Sequence, residues 1–200
     1  MTRWSRRSDV LRGDDYDKRW RDLEASGAQI HGEADLVDWF EPASVLDAGC
    51  GTGRVAIELA KRGRDVVGVD NDPAMIGPAK QKAPDLAWIE ADLLDVNVRD
   101  EAGETKRFDV IVAAGNVMVF LEPGTEGEVI ANLVAHLEPG GRLISGFQLK
   151  AHRMGLAVYD RHCEAAGLTL EHRWSTWDRD AWDPLGDYAV SAHRLDAAPG

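Results

Sequence analysis

The chain reads as an α/β protein with a doubly wound, mostly parallel sheet and a reversed strand near the C-terminus. Two observations predict this. Short β-branched runs alternate with amphipathic stretches from residue 44 onward. The last two apolar runs follow each other with no helix between them, so one of that pair must run antiparallel at or near an edge. A length of 200 residues suits one core of this kind without disulfide staples.

Residues 1–13 are polar. From 14 to 40 the spacing of Tyr16, Trp20 and Leu23 is helical, and Gly27 and Gly32 split the stretch into two short helices joined near His31. Pro42 closes this prologue. The run SVLDA (44–48) is the first strand, and 53–62 is a helix with Val55, Ala56, Leu59 and Ala60 on one face. DVVGV (65–69) is the second strand, and 73–82 is a helix with proline in its first turn. Residues 86–90 and 108–113 form the third and fourth strands, and 126–137 a helix. That helix is expected to end in the turn Pro139-Gly140-Gly141, which opens a fifth strand at 142–147. A helix over 153–166 stops at Gly167, and strands over 168–174 and 187–193 complete the chain.

Composition narrows the function. The balance of 23 Lys+Arg against 35 Asp+Glu gives a net charge of −12. That disfavours nucleic acid as a partner, because such binding is driven by neutralising phosphates. Arg3, Arg6 and Arg7 make one small basic patch at the terminus. Two cysteines, Cys50 and Cys163, supply neither a disulfide framework nor a zinc site. No apolar run is long enough to span a membrane and the N-terminus lacks a signal-peptide core, so the expectation is a cytoplasmic protein.

The most informative stretch is VLDAGCGTGRVAIELA, residues 45–60. A strand enters Gly49-Cys50-Gly51-Thr52-Gly53 and a helix begins at once. Glycines permit the sharp turn and a close approach of ligand, and the helix start offers free N–H groups. In open α/β sheets such a turn faces the ligand crevice at the carboxyl ends of the strands. The dinucleotide fingerprint G-x-G-x-x-G does not fit, since the third glycine comes one residue early. Asp47 just before the turn would oppose a pyrophosphate but suit an ammonium. Asp70 in GVDND is placed for ribose hydroxyls, and Asp92 in EADLLD for an adenine edge.

Taken in order, DAGCGTG, GVDND, EADLLD, FDVIVAAGNVMVFL and LEPGGRLISGF resemble the class I S-adenosylmethionine-dependent methyltransferases over residues 44–194. The resemblance implies a seven-stranded Rossmann-like sheet with S-adenosylmethionine as cofactor and S-adenosylhomocysteine as product. It carries Asp47, Gly49, Cys50, Gly51 and Gly53 to the methionine end of the donor, Asp70 to the ribose, and Asp92 with Leu93 to the adenine. Asn71, Met75 and Ala114 fall where flanking contacts are usual. On this reading residues 1–43 form a helical lid segment and 44–200 the donor-binding domain, within one compact unit. Arg19 and Trp20 would close over the donor beside Tyr16, with Arg19 pairing its carboxylate.

The acceptor side is less defined. The AAGN end of the fourth strand lacks the Asn/Asp-Pro-Pro-aromatic motif of adenine and glutamine N-methylating enzymes, and no carboxylate cluster for a metal follows the fourth and fifth strands. The expected acceptor is therefore an oxygen or nitrogen of a small molecule, with no metal. Rivals are an RNA or protein methyltransferase, an NAD-dependent oxidoreductase and a non-catalytic cofactor binder. His152, after the fifth strand, and His31 are the candidate bases. Asn116, Trp177 and Trp182 are candidate acceptor contacts, with Trp174 in the same aromatic stretch. His136 is expected to complement a helix C-terminus, and His162, His172 and His193 to face solvent.

Overall fold

The computed structural model describes residue 4 and residues 11–150 and 153–196. Seven strands among them form one sheet in the order β3-β2-β1-β4-β5-β7-β6. The strands are β1 (Ser44–Ala48), β2 (Asp65–Asp70), β3 (Ala87–Glu90), β4 (Phe108–Ala113), β5 (Leu137–Gln148), β6 (Leu168–Trp174) and β7 (Tyr188–Leu195). β1 to β5 are mutually parallel, and β7 runs antiparallel between β5 and β6. The helix-free junction thus produces the expected reversal. Chain order switches direction between β1 and β4, and there the crevice of a doubly wound sheet opens.

Helices cover both faces. α2 (Gly32–Asp38) and α3 (Arg54–Lys61) pack Ala34, Leu36, Val37, Val55, Ala56 and Leu59 against Val45, Val66, Val110 and Val112. The opposite face carries α6 (Glu126–Ala135) and α7 (Leu156–Ala165), whose Val129, Ile130, Leu133, Tyr159 and Cys163 meet Leu46, Val67, Ile111 and Leu143. Alternate residues of one strand therefore feed two cores, as its period of two requires. α4 (Pro73–Lys82) lies on β2 and β3, and α1 (Gly13–Ala25) lies on α4.

The structure corrects several expectations. Pro139-Gly140-Gly141 does not separate helix from strand. β5 begins at Leu137, which pairs with Phe108; Arg142 pairs with Val110, and the intervening residues form an irregularity opposite Asp109. A Cβ at Gly141 would lie 2.8 Å from the Glu138 carbonyl, so the irregularity itself requires glycine. The last helix starts at Leu156 rather than at 153. A short helix absent from the sequence reading, α5 (Val117–Phe120), follows β4. α2 is built into the core beneath α3 rather than lying over the cleft.

Two histidines expected at the surface or at a helix end are buried. His193 is 1% exposed, because its β7 face packs under α7 against Tyr159, with the ring centroids 5.2 Å apart. His136 is 2% exposed. Its Nδ1–H donates to the Asn132 carbonyl at 2.9 Å and its Nε2 accepts from the Val98 N–H at 3.1 Å. That pattern needs a neutral ring, not a charge at a helix terminus. Asn132 also donates to the Leu93 and Val96 carbonyls, each at 2.9 Å. The two side chains fix the loop after β3, and so place Asp92 and Leu93. His172 stacks on Trp174 beside Trp39, and His162 packs on Gly127.

Candidate functional site

A cleft of about 930 Å³, counted to its open mouth, lies at the carboxyl ends of β1, β2 and β4. Ten sequence-predicted residues line it together: Asp47, Gly49, Cys50, Gly51, Asp70, Asn71, Met75, Asp92, Leu93 and Ala114.

The glycine turn is held from below and from one side. Gly49 and Cys50 both direct their N–H groups to the Val69 carbonyl, at 2.8 and 2.9 Å. Gly51 donates to Asp70 Oδ2 at 2.8 Å. Asp70 Oδ1 accepts from the Asp72 N–H, also at 2.8 Å, so one carboxylate ties the turn to the end of β2. Gly49 and Gly51 have φ of +81° and +56°, and a Cβ on Gly49 would strike Val117 at 2.5 Å. Burial pushes the Asp70 carboxyl up, against the two N–H bonds from Asp72 and Gly51.

Asp47 is 2% exposed. Its Oδ2 accepts the Ala56 N–H at 3.1 Å, which satisfies one of the free donors in the first turn of α3. Burial raises its pKa to about 7, opposed by that hydrogen bond and by the nearby Arg54 charge. A cationic group in the cleft would recover the ionised form. Burial drives the Cys50 thiol well above its ordinary value, so it contributes a neutral wall. Asp92 makes a local turn, accepting from Leu94 N–H at 3.1 Å, and Asn71 Nδ2 reaches its other oxygen at 3.4 Å.

Other predicted residues lie elsewhere. Gly53 caps α3 with φ +82°, and a Cβ there would meet the Trp88 ring at 2.5 Å; its role is to admit that ring under the turn. Arg19 is exposed and outside the lining, and it is Tyr16 of α1 that enters the cleft. Trp20 also stays outside the lining, lying under the Arg54 guanidinium at 3.8 Å from Cζ to ring centre. Its indole N–H is buried and has no hydrogen-bond partner among the described residues.

His31 precedes α2 with its ring toward Glu58 of α3, Nδ1 to Oε2 3.9 Å, and it does not line the cleft. His152 lies outside the described residues. Asn116, at φ +71° before α5, uses Oδ1 to accept the Gln148 N–H at 2.7 Å, bridging the ends of β4 and β5 beside the lining. Trp177 lies on β5 at Gly146 and donates to Tyr188 Oη at 3.0 Å. Trp182 does not share that position. It meets Arg173, which pairs with Asp160 of α7 on the other face of the sheet.

The cleft also contains residues that sequence reading did not assign. Trp4 and Phe120 meet edge to face at 5.3 Å across its mouth. Thr52 is 1% exposed and donates to Asp17 of α1 at 2.5 Å. Arg54 stands beside Asp47 in the lining. The position of Arg54 directly after the glycine turn was the available signal. For Thr52 and Trp4 the partners are 35 and 68 residues away, and no local pattern reports them.

Comparison with known proteins agrees with this geometry. The methyltransferase domain family model matches residues 45–141. A TehB-like S-adenosylmethionine-dependent methyltransferase from Corynebacterium glutamicum superposes with a TM-score of 0.82 at 36% identity, covering 92% of this chain and 97% of that one. Hemagglutinin 1 of Eikenella corrodens is 33% identical over 64% of this chain and 40% of its own length. Magnesium-protoporphyrin O-methyltransferase of Rhodobacter capsulatus is 37% identical over 49% of this chain and 42% of its own length. The chain thus spans under half the length of these two curated relatives. The ordered carboxylates around the glycine turn, the reversed β7 and the full-length similarity to the Corynebacterium structure place the chain in the class I S-adenosylmethionine-dependent methyltransferase family.

Proposed function

We propose that the protein transfers a methyl group from S-adenosylmethionine to an oxygen or nitrogen atom of a small molecule. The observation that carries this reading is the convergence of Asp47, Asp70 and Asp92 with the glycine turn on one cleft. Asp70 keeps lone pairs for ribose hydroxyls beyond the N–H bonds it accepts from the backbone, those of Gly51 and Asp72 among them. Asp92 and Leu93 would hold the adenine, and buried Asp47 the α-ammonium. Donor and residues fit, since three carboxylates face a ligand with hydroxyl, amine and ammonium donors.

Once bound, the donor supplies a sulfonium-activated methyl group. The chain's own task is to fix that group near the acceptor and to exclude water, which provides much of the rate in such displacements. Ala114 and Gly115 form the floor at the end of β4, while Val117, Phe120 and Leu121 form an apolar wall. Trp4 and Tyr16 approach from the N-terminal segment, which supports a covering role for part of residues 1–43. The net charge of −12 speaks against a nucleic acid acceptor. Two free, buried cysteines suit a reducing compartment such as the cytoplasm, and no helix among the described residues is long and apolar enough to cross a membrane.

Calorimetry with S-adenosylmethionine, S-adenosylhomocysteine and NAD tests the donor assignment. Binding of the first two and not of NAD is expected, and preferential binding of NAD would overturn it. Turnover with a small-molecule acceptor library then tests transfer itself.

A further inference from the structure

Trp4 touches both banks of the cleft mouth. On the β2 side its indole Nε1–H donates to Asp72 Oδ2 at 2.9 Å, and on the β4 side its ring meets Phe120 of α5 edge to face. Both aromatic residues line the cleft. Arg12 fastens the β2 end. Its Nε–H donates to the same Asp72 oxygen at 2.7 Å, its Nη2 donates to the Trp4 carbonyl at 3.0 Å, and its Cζ lies 5.5 Å from the Trp4 ring centre. The Asp72 side chain is 12% exposed. Burial pushes its carboxyl up, but the bonds from Arg12, Trp4 and the Ala74 N–H prevail and hold its pKa below the ordinary value. It is the other oxygen, Oδ1, that takes the Ala74 N–H, at 3.0 Å, and so caps α4.

One carboxylate, two residues beyond Asp70, thus starts α4 and holds a side chain that reaches across to α5. A ligand seated among Asp70, Asp92 and Ala114 lies in the cleft that this side chain crosses. We propose that Trp4 and Phe120 form a bar across the cleft mouth, latched by Asp72 and Arg12, and that its opening sets the rate at which donor enters and S-adenosylhomocysteine leaves. This rests on the donor reading above and deepens it, since product exchange then helps to set turnover. Such a bar has a kinetic signature. Entry and exit both need the open form, so both rates scale with its population while affinity stays nearly constant. A residue that only contacts the ligand changes the exit rate alone.

The test is stopped-flow association and dissociation of S-adenosylhomocysteine, with calorimetry for affinity. Asp72→Asn keeps a cap for α4 but offers Arg12 no charge. It should raise both rates about tenfold, the scale of one lost charge-assisted hydrogen bond, with affinity within about threefold of wild type. Trp4→Ala should raise both rates at least as much. The double variant should be no faster than Trp4→Ala, because the latch acts only through Trp4. Binding of the ligand shows in each case that the variant is folded.

Unchanged rates in Trp4→Ala would overturn the proposal, and so would a faster exit with unchanged entry, which marks an ordinary ligand contact. Additive effects in the double variant would separate Asp72 from the bar and overturn the latch. Where Asp72→Asn does not fold, Trp4→Phe decides: it keeps a ring against Phe120 but loses the indole N–H, and both rates should rise by less than in Trp4→Ala. A wild type that binds neither S-adenosylmethionine nor S-adenosylhomocysteine overturns the donor reading itself, whereas one that binds both with rates unmoved by these variants overturns only the bar.

Discussion

Asp70 is a ligand residue and a structural tie at once, so its substitution must be read on two axes. Asp70→Ala should weaken donor binding by about 2–3 kcal/mol, since a charged acceptor to ribose hydroxyls is lost. It also releases the Gly51 and Asp72 N–H groups, so calorimetry is paired with a thermal melt, and unchanged affinity in a folded variant would remove Asp70 from the site. The glycines divide in the same way. Gly51→Val should abolish donor binding with only moderate loss of stability: the residue faces the cleft, its added Cβ lies 3.2 Å from the flexible end of Met75, and φ of +56° costs about 1–2 kcal/mol. Gly53→Val should chiefly lower the melting temperature, because its Cβ collides with the Trp88 ring at 2.5 Å. A Gly51 variant that melts like the Gly53 variant would show that the turn is mainly structural. Sequence could identify both as glycines of a tight turn. It could not tell them apart, since the difference is Trp88 of β3, two strands away from β1 in the sheet.

At the scale of elements, β-branched runs bounded by glycine made β1, β2 and β4 legible, and a proline start made α4 legible. What escaped was decided by distant partners. VMVF is too short to show a helical period, and α5 exists because Asn116 turns the chain at the end of β4 and anchors to β5. Likewise α1 is amphipathic by pattern, but its seat is set by one polar residue. Asp17, 8% exposed, accepts from Thr52 Oγ1 and from Lys82 Nζ, joining α1 to the glycine turn and to α4. Gly13 N–H adds a contact to Met75 Sδ at 3.4 Å. Asp17→Ala should destabilise the protein by about 1–2 kcal/mol in denaturant melts, Lys82 being partly solvated. It should also weaken donor binding, because Tyr16 rides on α1. Lys82→Ala should do less on both counts. Equal effects of the two would show that the ion pair, rather than the buried bond to Thr52, seats the helix.

For the whole molecule, two buried groups tie stability to pH in opposite senses. His193 lies between α7 and the sheet, with Tyr159 and Asp160 on one side and Arg173 of β6 nearby; Asp160 Oδ1 is 3.2 Å from its Nε2. Burial lowers its pKa from 6.5 to about 4, despite the favourable Asp160 charge. The unfolded chain then binds more protons between those values, so this group's contribution to stability falls as pH drops through that window, by about 3 kcal/mol in all. Asp47 does the reverse. Its pKa rises from 3.8 to about 7 in the fold, so the native state binds the extra proton and this contribution falls as pH rises through the same range, by a similar amount. The two therefore nearly cancel between about pH 4 and 6.5. Substitution should expose each slope in denaturant-derived stabilities. Relative to wild type, His193→Leu should gain stability toward acid, and Asp47→Asn should gain it toward neutral pH. Donor binding provides an independent readout, because an α-ammonium beside Asp47 demands the ionised carboxylate. Affinity for S-adenosylmethionine should rise with pH up to about 7, with proton release visible as a buffer-dependent heat, and Asp47→Asn should abolish that release. A proton release that persists in Asp47→Asn would place the titrating group elsewhere in the cleft.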